Sequence, residues 1–266
     1  MNDRGAHINT SLGHSSFLLF TTMMTQRIIA IIMATTLNAI LIFAQDNAAP
    51  AISGPAKVAG KGNINRSPYY VQMDFYNMKS EGSLTLLPHF KTYQQTTEYT
   101  CAPACALMVE QYLTGRELTR ADELRIAEGS HTQSFRGENP GTDMKEMVDY
   151  YTREGWEVHS KYTDGKIRRR QFPEFVINNL KAGVPIIVND IDWGGHYRVI
   201  IGYDTMGDDY MGNDVIIMAD PYDTTDHLQD GYNVVPAQRF YYMWFCGSLD
   251  ENHKRIEGLW MTLKKK

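Results

Sequence analysis

A thiol, an imidazole and a carboxylate able to act together in acyl chemistry stand at Cys101, His196 and Asp220. Cys101 lies in YQQTTEYTCAPACALMVEQYL, residues 93–113, where small polar residues give way to an apolar run of helical period. Pro103 follows closely, and proline is favoured in a first helical turn, where its missing N–H costs nothing. The spacing therefore predicts Cys101 at a helix N-terminus. Free N–H groups and the macrodipole there favour negative charge, and the thiolate is the nucleophilic form of cysteine.

Of eight histidines, two lie within the first 23 residues, and His89, His131, His159, His227 and His253 have loop-like surroundings. His196 differs. It follows DWGG and opens HYRVIIGYD, so a glycine-permitted loop delivers an imidazole at the first position of a strand. Asp220 closes VIIMAD just before Pro221, where an acid could accept from the imidazole and fix its tautomer. Taken singly, His196 reads as a structural side chain and Asp220 as a turn former. As a set on helix start, strand start and strand end, the three read as nucleophile, base and orienting acid.

The other two cysteines carry less. Cys105, one helical turn beyond Cys101 on the same face, reads as a buried core residue before a resolving thiol or metal ligand. Cys246, within the aromatic helix expected over PAQRFYYMWFC, is read as core in the same way. Three cysteines make no disulfide framework, and no second cysteine pair or spaced histidine pair completes a zinc site. The acidic stretches DTMGDDYMGND and DPYDTTDHLQD lack the regular spacing of a calcium loop and read as solvated turns. No cofactor or metal is expected.

The elements that must position these residues fall into two blocks. Helices are expected over Pro103–Leu113, Thr119–Glu128, Asp143–Glu154 and Arg170–Ala182, and strands over Val184–Asp190, His196–Asp204 and Asp214–Tyr222, with a closing strand at RIEGLWMTLK. Helices first and strands second indicate an α+β domain, a helical layer on a mainly antiparallel sheet.

The formal charge is −5, and the basic clusters KIRRR and terminal KKK are neither interleaved with aromatics nor extended into a stripe, which argues against a nucleic-acid partner. Residues 1–45 read as a presequence: after Met24, the expected start, come Arg27, sixteen uncharged residues from Ile28 to Phe43, and Ala44 with Gln45 as the cleavage region. A secreted or periplasmic protein without a stable membrane domain follows. An uncleaved anchor is the other reading, since such a run is marginal for spanning a bilayer. Residues 46–68, rich in Ala, Gly, Pro and Asn, read as a linker, and 69–266 as the folded domain.

Gln95 lies six positions before Cys101, and Q-x5-C-x-P-A with the later GGHYRVIIGYD and IIMADP resembles family thirty-nine of the cysteine peptidases, which process double-glycine leaders, and their stand-alone relatives. The resemblance implies a papain-like fold, Cys101 as nucleophile, His196 as general base and acid, Asp220 as orienting acid, and a peptide or protein substrate. It also implies that Gln95 lends its side-chain amide, with the Cys101 N–H, to an oxyanion hole, a donor typically worth ~3 kcal/mol. Gln94 does not fit this spacing, and Ala102 stands where the family usually has glycine.

The chain thus reads as an exported thiol hydrolase cleaving amide bonds through an acyl-enzyme. Acyl transfer to an amine uses the same groups. A non-catalytic module gripping peptide or cell-wall material through an aromatic loop around Trp193 and Tyr197 is the rival from another class. A redox role for Cys101 and Cys105 is opposed by geometry, because an i, i+4 helical pair seldom meets disulfide torsions.

Overall fold

The computed structural model describes Ile29, Met33 and residues 49–58, 73–137, 140–224, 228–249 and 252–265. Apart from Ile29, Met33 and the tip at 49–50, the presequence and the stretch before Ala51 lie outside the described residues. Contacts divide the chain into Met1–Pro50 and a unit Ala51–Lys266, and the second holds every element discussed below. Among the described residues no helix is long and apolar enough to cross a membrane.

In chain order this unit contains α1 (Gly54–Val58), β1 (Leu84–Leu86), α2 (Cys101–Thr114), α3 (Arg120–Gly129), α4 (Met144–Arg153), β2 (Glu157–Ser160), α5 (Lys161–Asp164) and α6 (Phe172–Lys181). Then follow β3 (Ile186–Asp190), β4 (His196–Asp204), β5 (Val215–Ala219), β6 (Tyr232–Pro236), α7 (Ala237–Met243), β7 (Phe245–Leu249), β8 (Arg255–Glu257) and β9 (Leu259–Lys264). The fold is α+β, as the helix-then-strand pattern predicts.

The main sheet is antiparallel in every pairing, with the order β2-β9-β3-β4-β5-β6. Its centre is β3 and β4, whose runs IIVND and HYRVIIGY are buried throughout, as strands covered on both faces must be. β4 outruns β3. β3 pairs with it from His196 to Ile200, and β1 takes over the same edge from Gly202 to Asp204 while β5 occupies the other. α2 packs on β4 and α3, α6 on β4 and β1, and α4 on β2 and β9.

α2 is enclosed. Ala102 to Glu110 are all buried, the pattern of a helix apolar all round rather than along one stripe. The small residues of APACA allow close approach at its first turn, and Leu107, Met108 and Val109 fill the core further on. At its polar end, Glu110 is met by Arg125 at 3.4 Å and by the Tyr151 hydroxyl at 3.2 Å.

Gly202 marks the tightest crossing. A Cβ there would lie 2.6 Å from Leu86 Cδ1 and 3.0 Å from Ile217 Cβ, so only glycine lets β1 and β5 close on β4. Gly202→Ala is expected to destabilise the domain by about 1–3 kcal/mol, the usual cost of overpacking, read as a fall in urea midpoint at unchanged slope.

Two differences from the sequence reading stand out. The aromatic helix stops at Met243, and Cys246 belongs to β7, which pairs with β8. Gly247 follows Cys246 at once and disfavours a helix, while the Trp244 indole N–H donates to Leu259 O and turns the chain back toward the sheet. Strands β1, β2 and β6 are additions. β1 has three residues, and β2 (EVHS) and β6 (YNVVP) are the sheet edges, where charge and proline replace the apolar run that announces a strand. The stretch read as a linker also contributes to the folded unit through residues 51–58, which carry α1.

Candidate active site

The structure brings Cys101, His196 and Gln95 to the wall of one cleft of about 310 Å3, with Asp220 directly behind His196. Cys101 is the first residue of α2 and is partly exposed, whereas His196 and Asp220 are buried. Two aromatic pairs border the cleft: Trp193 with Tyr222, rings 5.6 Å apart, and Tyr99 with Phe135, 6.1 Å apart. A larger hollow of about 520 Å3 between β6 and α7 reaches Arg198 and Asn233 but not Cys101.

The hairpin from β3 to β4 delivers the imidazole. Trp193 (φ 59°), Gly194 (φ 85°) and Gly195 (φ 151°) are successive left-handed residues, and the two glycines make that path possible. The turn is clamped from within by Arg198, which binds Asp190 through two nitrogens and Asp192 at 2.9 Å. Arg198 and Asp190 are both buried, so loss of either would strand a charge inside the domain beside His196. Nothing in the one-dimensional pattern HYRVII separates this arginine from a surface cation, and the sequence reading misses it.

His196 Nε2 lies 2.7 Å from Asp220 Oδ1. That leaves Nδ1 for the thiol of Cys101, which lines the same cleft. Burial acts to lower the His196 pKa, but the Asp220 charge and hydrogen bond outweigh it, with help from Cys101, and raise it to about 10. For Asp220, burial acts upward, but the His196 charge and hydrogen bond, Arg198 and the Tyr222 N–H together hold it below the usual carboxylate range. Asp220 is otherwise fully engaged: Asn233 Nδ2 donates to Oδ2 at 2.9 Å and Tyr222 N to Oδ1 at 2.8 Å. Asn233 is another positioning group that the sequence reading misses, since it sits on the unrecognised edge strand β6.

The linkage has a definite sign. The folded His196 binds its proton more tightly than an ordinary histidine near 6.5, so its contribution to stability is whole below about pH 6.5 and is lost as pH rises through about 10. The Asp220 contribution is present above about pH 3.8 and is lost as pH falls below that value. The melting-temperature gap between the wild type and His196→Ala is therefore expected to narrow steadily between pH 6.5 and 10. A gap that widens over this range would contradict the assignment.

Gln95 is buried, and the loop bearing it is tied to the acid: Gln95 N donates to Pro221 O at 2.9 Å, and the Gln94 amide donates to Asp220 O at 3.1 Å. Gln94, which does not fit the spacing, is thus a strut between loop and strand end. The Gln95 side-chain nitrogen donates to Thr97 O at 2.8 Å with one of its N–H groups. Residues 51–58 border the same loop, with Ser53 N donating to Thr96 O at 2.8 Å and the Gln229 amide to Pro55 O at 3.1 Å. Ala102, standing where the family usually has glycine, is fully buried in the core cluster and does not line the cleft.

Cys105 is wholly buried in the core cluster, and burial pushes its thiol pKa well up. Both Cys101 and Cys105 are free thiols. Tyr197 is buried with its hydroxyl donating to Thr142 O at 2.9 Å, so it is no part of an exposed gripping loop, whereas Trp193 is 68% exposed at the cleft. Among the described residues no three His, Cys, Asp or Glu side chains cluster closely enough to hold a metal ion.

The peptidase domain of Streptococcus ComA, a bi-functional ABC transporter involved in a quorum sensing pathway, is similar at 20% identity and TM-score 0.45, covering 67% of this chain and all of that one. The Streptococcus mutans ComA peptidase domain gives 16% identity and TM-score 0.35, covering 66% and all of it. No curated protein matches. Residues 87–245, well over half of the chain, match the Peptidase_C39 like family, and this papain-like α+β protein belongs to it.

Proposed function

We propose that the chain is an exported cysteine peptidase that hydrolyses peptide bonds through Cys101, His196 and Asp220. The observation that carries this is the half-open thiol at the start of α2, sharing a cleft with an imidazole whose far nitrogen is fixed at 2.7 Å by a buried acid. With its proton already held on His196 Nδ1, as the raised proton affinity of that ring requires, Cys101 attacks the scissile carbonyl as a thiolate. The tetrahedral oxyanion forms beside the N–H groups of the first turn of α2 and the remaining Gln95 N–H. The C–N bond then breaks, His196 gives its proton to the leaving amine, and the acyl group stays on sulfur as a thioester. Water, deprotonated by His196, releases the acid and restores the thiol.

Export rests on the apolar run after Arg27, and the mature chain is expected to begin near Ala44 or Gln45, as the intact mass of secreted protein would report. The activity itself is tested with a proteome-derived peptide library incubated with the full chain, new termini being read by mass spectrometry. Cleavage at a restricted set of sites supports the reading. A library left intact by unmodified, folded protein whose Cys101 reacts with iodoacetamide in a parallel sample would refute hydrolysis.

A further inference from the structure

The loop from Tyr93 to Thr100 carries Gln95 in the cleft wall and runs directly into Cys101, yet it has no helix or strand of its own. Beneath it lies Glu123 of α3, a carboxylate with 0% exposure. Four donors converge on it, all from this loop. Thr96 N (3.0 Å) and Thr100 Oγ1 (2.6 Å) meet Oε1, while Thr96 Oγ1 (2.8 Å) and Tyr93 OH (2.9 Å) meet Oε2. Four donors fill the lone-pair sites of a carboxylate, so its whole hydrogen-bonding capacity is spent on one segment.

The bond from Thr100 has a chemical consequence. Thr100 occupies the N-cap position of α2, where a hydroxyl ordinarily accepts from the N–H two or three residues on. No such cap is made, because the hydroxyl is turned to Glu123, and Pro103 at the third helical position has no N–H to offer. The N–H of Cys101, which lines the cleft, therefore faces it without an intrahelical partner or a threonine cap. This is the donor an oxyanion needs.

We infer that Glu123 is a positioning residue for oxyanion stabilisation: it pins the 93–100 loop so that Gln95 stays in the cleft wall, and it holds Thr100 away from the start of α2 so that the Cys101 N–H remains open. The inference rests on the peptidase reading, and it concerns a group that touches neither substrate nor thiol. Glu123 acts through Thr96, Thr100 and the loop they carry. A purely structural carboxylate would affect folding and thiol reactivity together. A positioning one separates acyl chemistry from the nucleophile.

The test is a double-mutant cycle on the best library peptide, with full-chain wild type, Glu123→Gln, Gln95→Ala and the double variant. Glu123→Gln is expected to lower kcat at least ~10-fold with KM changed by less than about threefold, the signature of an interaction made in the transition state. Iodoacetamide alkylation of Cys101, which forms no oxyanion, should stay within about twofold of wild type. The double variant should be no slower than the slower single, because both act on one donor set. Tyr93→Phe, which removes one loop donor and leaves Glu123 and Thr100 in place, is expected to lose about 3–10-fold in kcat and replaces Glu123→Gln should that protein fail to fold. Wild-type kcat in Glu123→Gln or Tyr93→Phe, fully multiplicative losses, or alkylation falling in step with kcat would each overturn the inference. A wild type that cleaves no peptide would refute the underlying peptidase reading, a result distinct from an active Glu123→Gln.

Discussion

Cys101→Ala is expected to abolish peptide cleavage, a loss of at least ~10^4 in kcat, while the melting temperature changes little. Removing a nucleophile that works as a unit with its base typically costs about 10^6 in kcat. Among the described residues no other thiol lines the cleft. Cys105 is one turn deeper, fully buried, with its thiol pKa pushed well up by that burial, and ionising it there would place a charge in the core. The fold should not notice the change, because Cys101 lies partly exposed at the end of α2 and contributes one small side chain to the core margin. The check is product formation from the best library peptide beside a thermal melt. Residual cleavage above about one per cent of wild type would move the nucleophile elsewhere.

His196→Ala is expected to have the next largest effect, a fall of at least ~10^3 in kcat. The imidazole takes the thiol proton, returns it to the leaving amine and then activates water, so three transfers are lost at once. Asp220→Asn should cost less. An amide oxygen at the Oδ1 position can still accept from Nε2 and the Tyr222 N–H once the Asn233 amide turns its oxygen to the new NH2 group, so orientation survives while the charge that raises the His196 pKa is gone. Asp220→Asn is therefore expected to shift the alkaline limit of activity to lower pH, in the direction opposite to the shift Asp220 imposes. Single-turnover rates between pH 5 and 10 for the three proteins would read both effects. An unchanged alkaline limit in Asp220→Asn would mean that the carboxylate does not set the histidine's proton affinity.

How much of this was legible follows from what each element must do. α2, α3, α4, α6 and the central strands announce themselves because a buried element has to be apolar in its own period, and β4 begins at His196 and ends at Asp204 as HYRVIIGYD predicts. The fold class follows from the same pattern. The edges do not show, because an edge strand such as β6 is half solvated and uses Asn and Pro where a central strand uses Val or Ile. In the site, the residues whose types and contexts carry chemistry were visible: a cysteine before a helix, a histidine after Gly-Gly and an aspartate before proline. Their supports were not. Asn233, Arg198 and Glu123 act only through contacts 13, 8 and 27 residues away along the chain, and nothing local distinguishes them from solvated polar residues. Cys246 shows the opposite error, an aromatic run read at helical period that the sheet claims for a strand.

The central claim, that Cys101 and His196 form a reactive pair, is tested most directly by the rate of iodoacetamide alkylation at pH 6, mapped by peptide mass spectrometry in wild type and His196→Ala. The account predicts that Cys101 is labelled in the folded protein while Cys105 stays silent, and that His196→Ala slows labelling of Cys101 at least ~10-fold because the thiol has lost its proton acceptor. Equal rates in the two proteins, or a Cys101 that does not react, would contradict it.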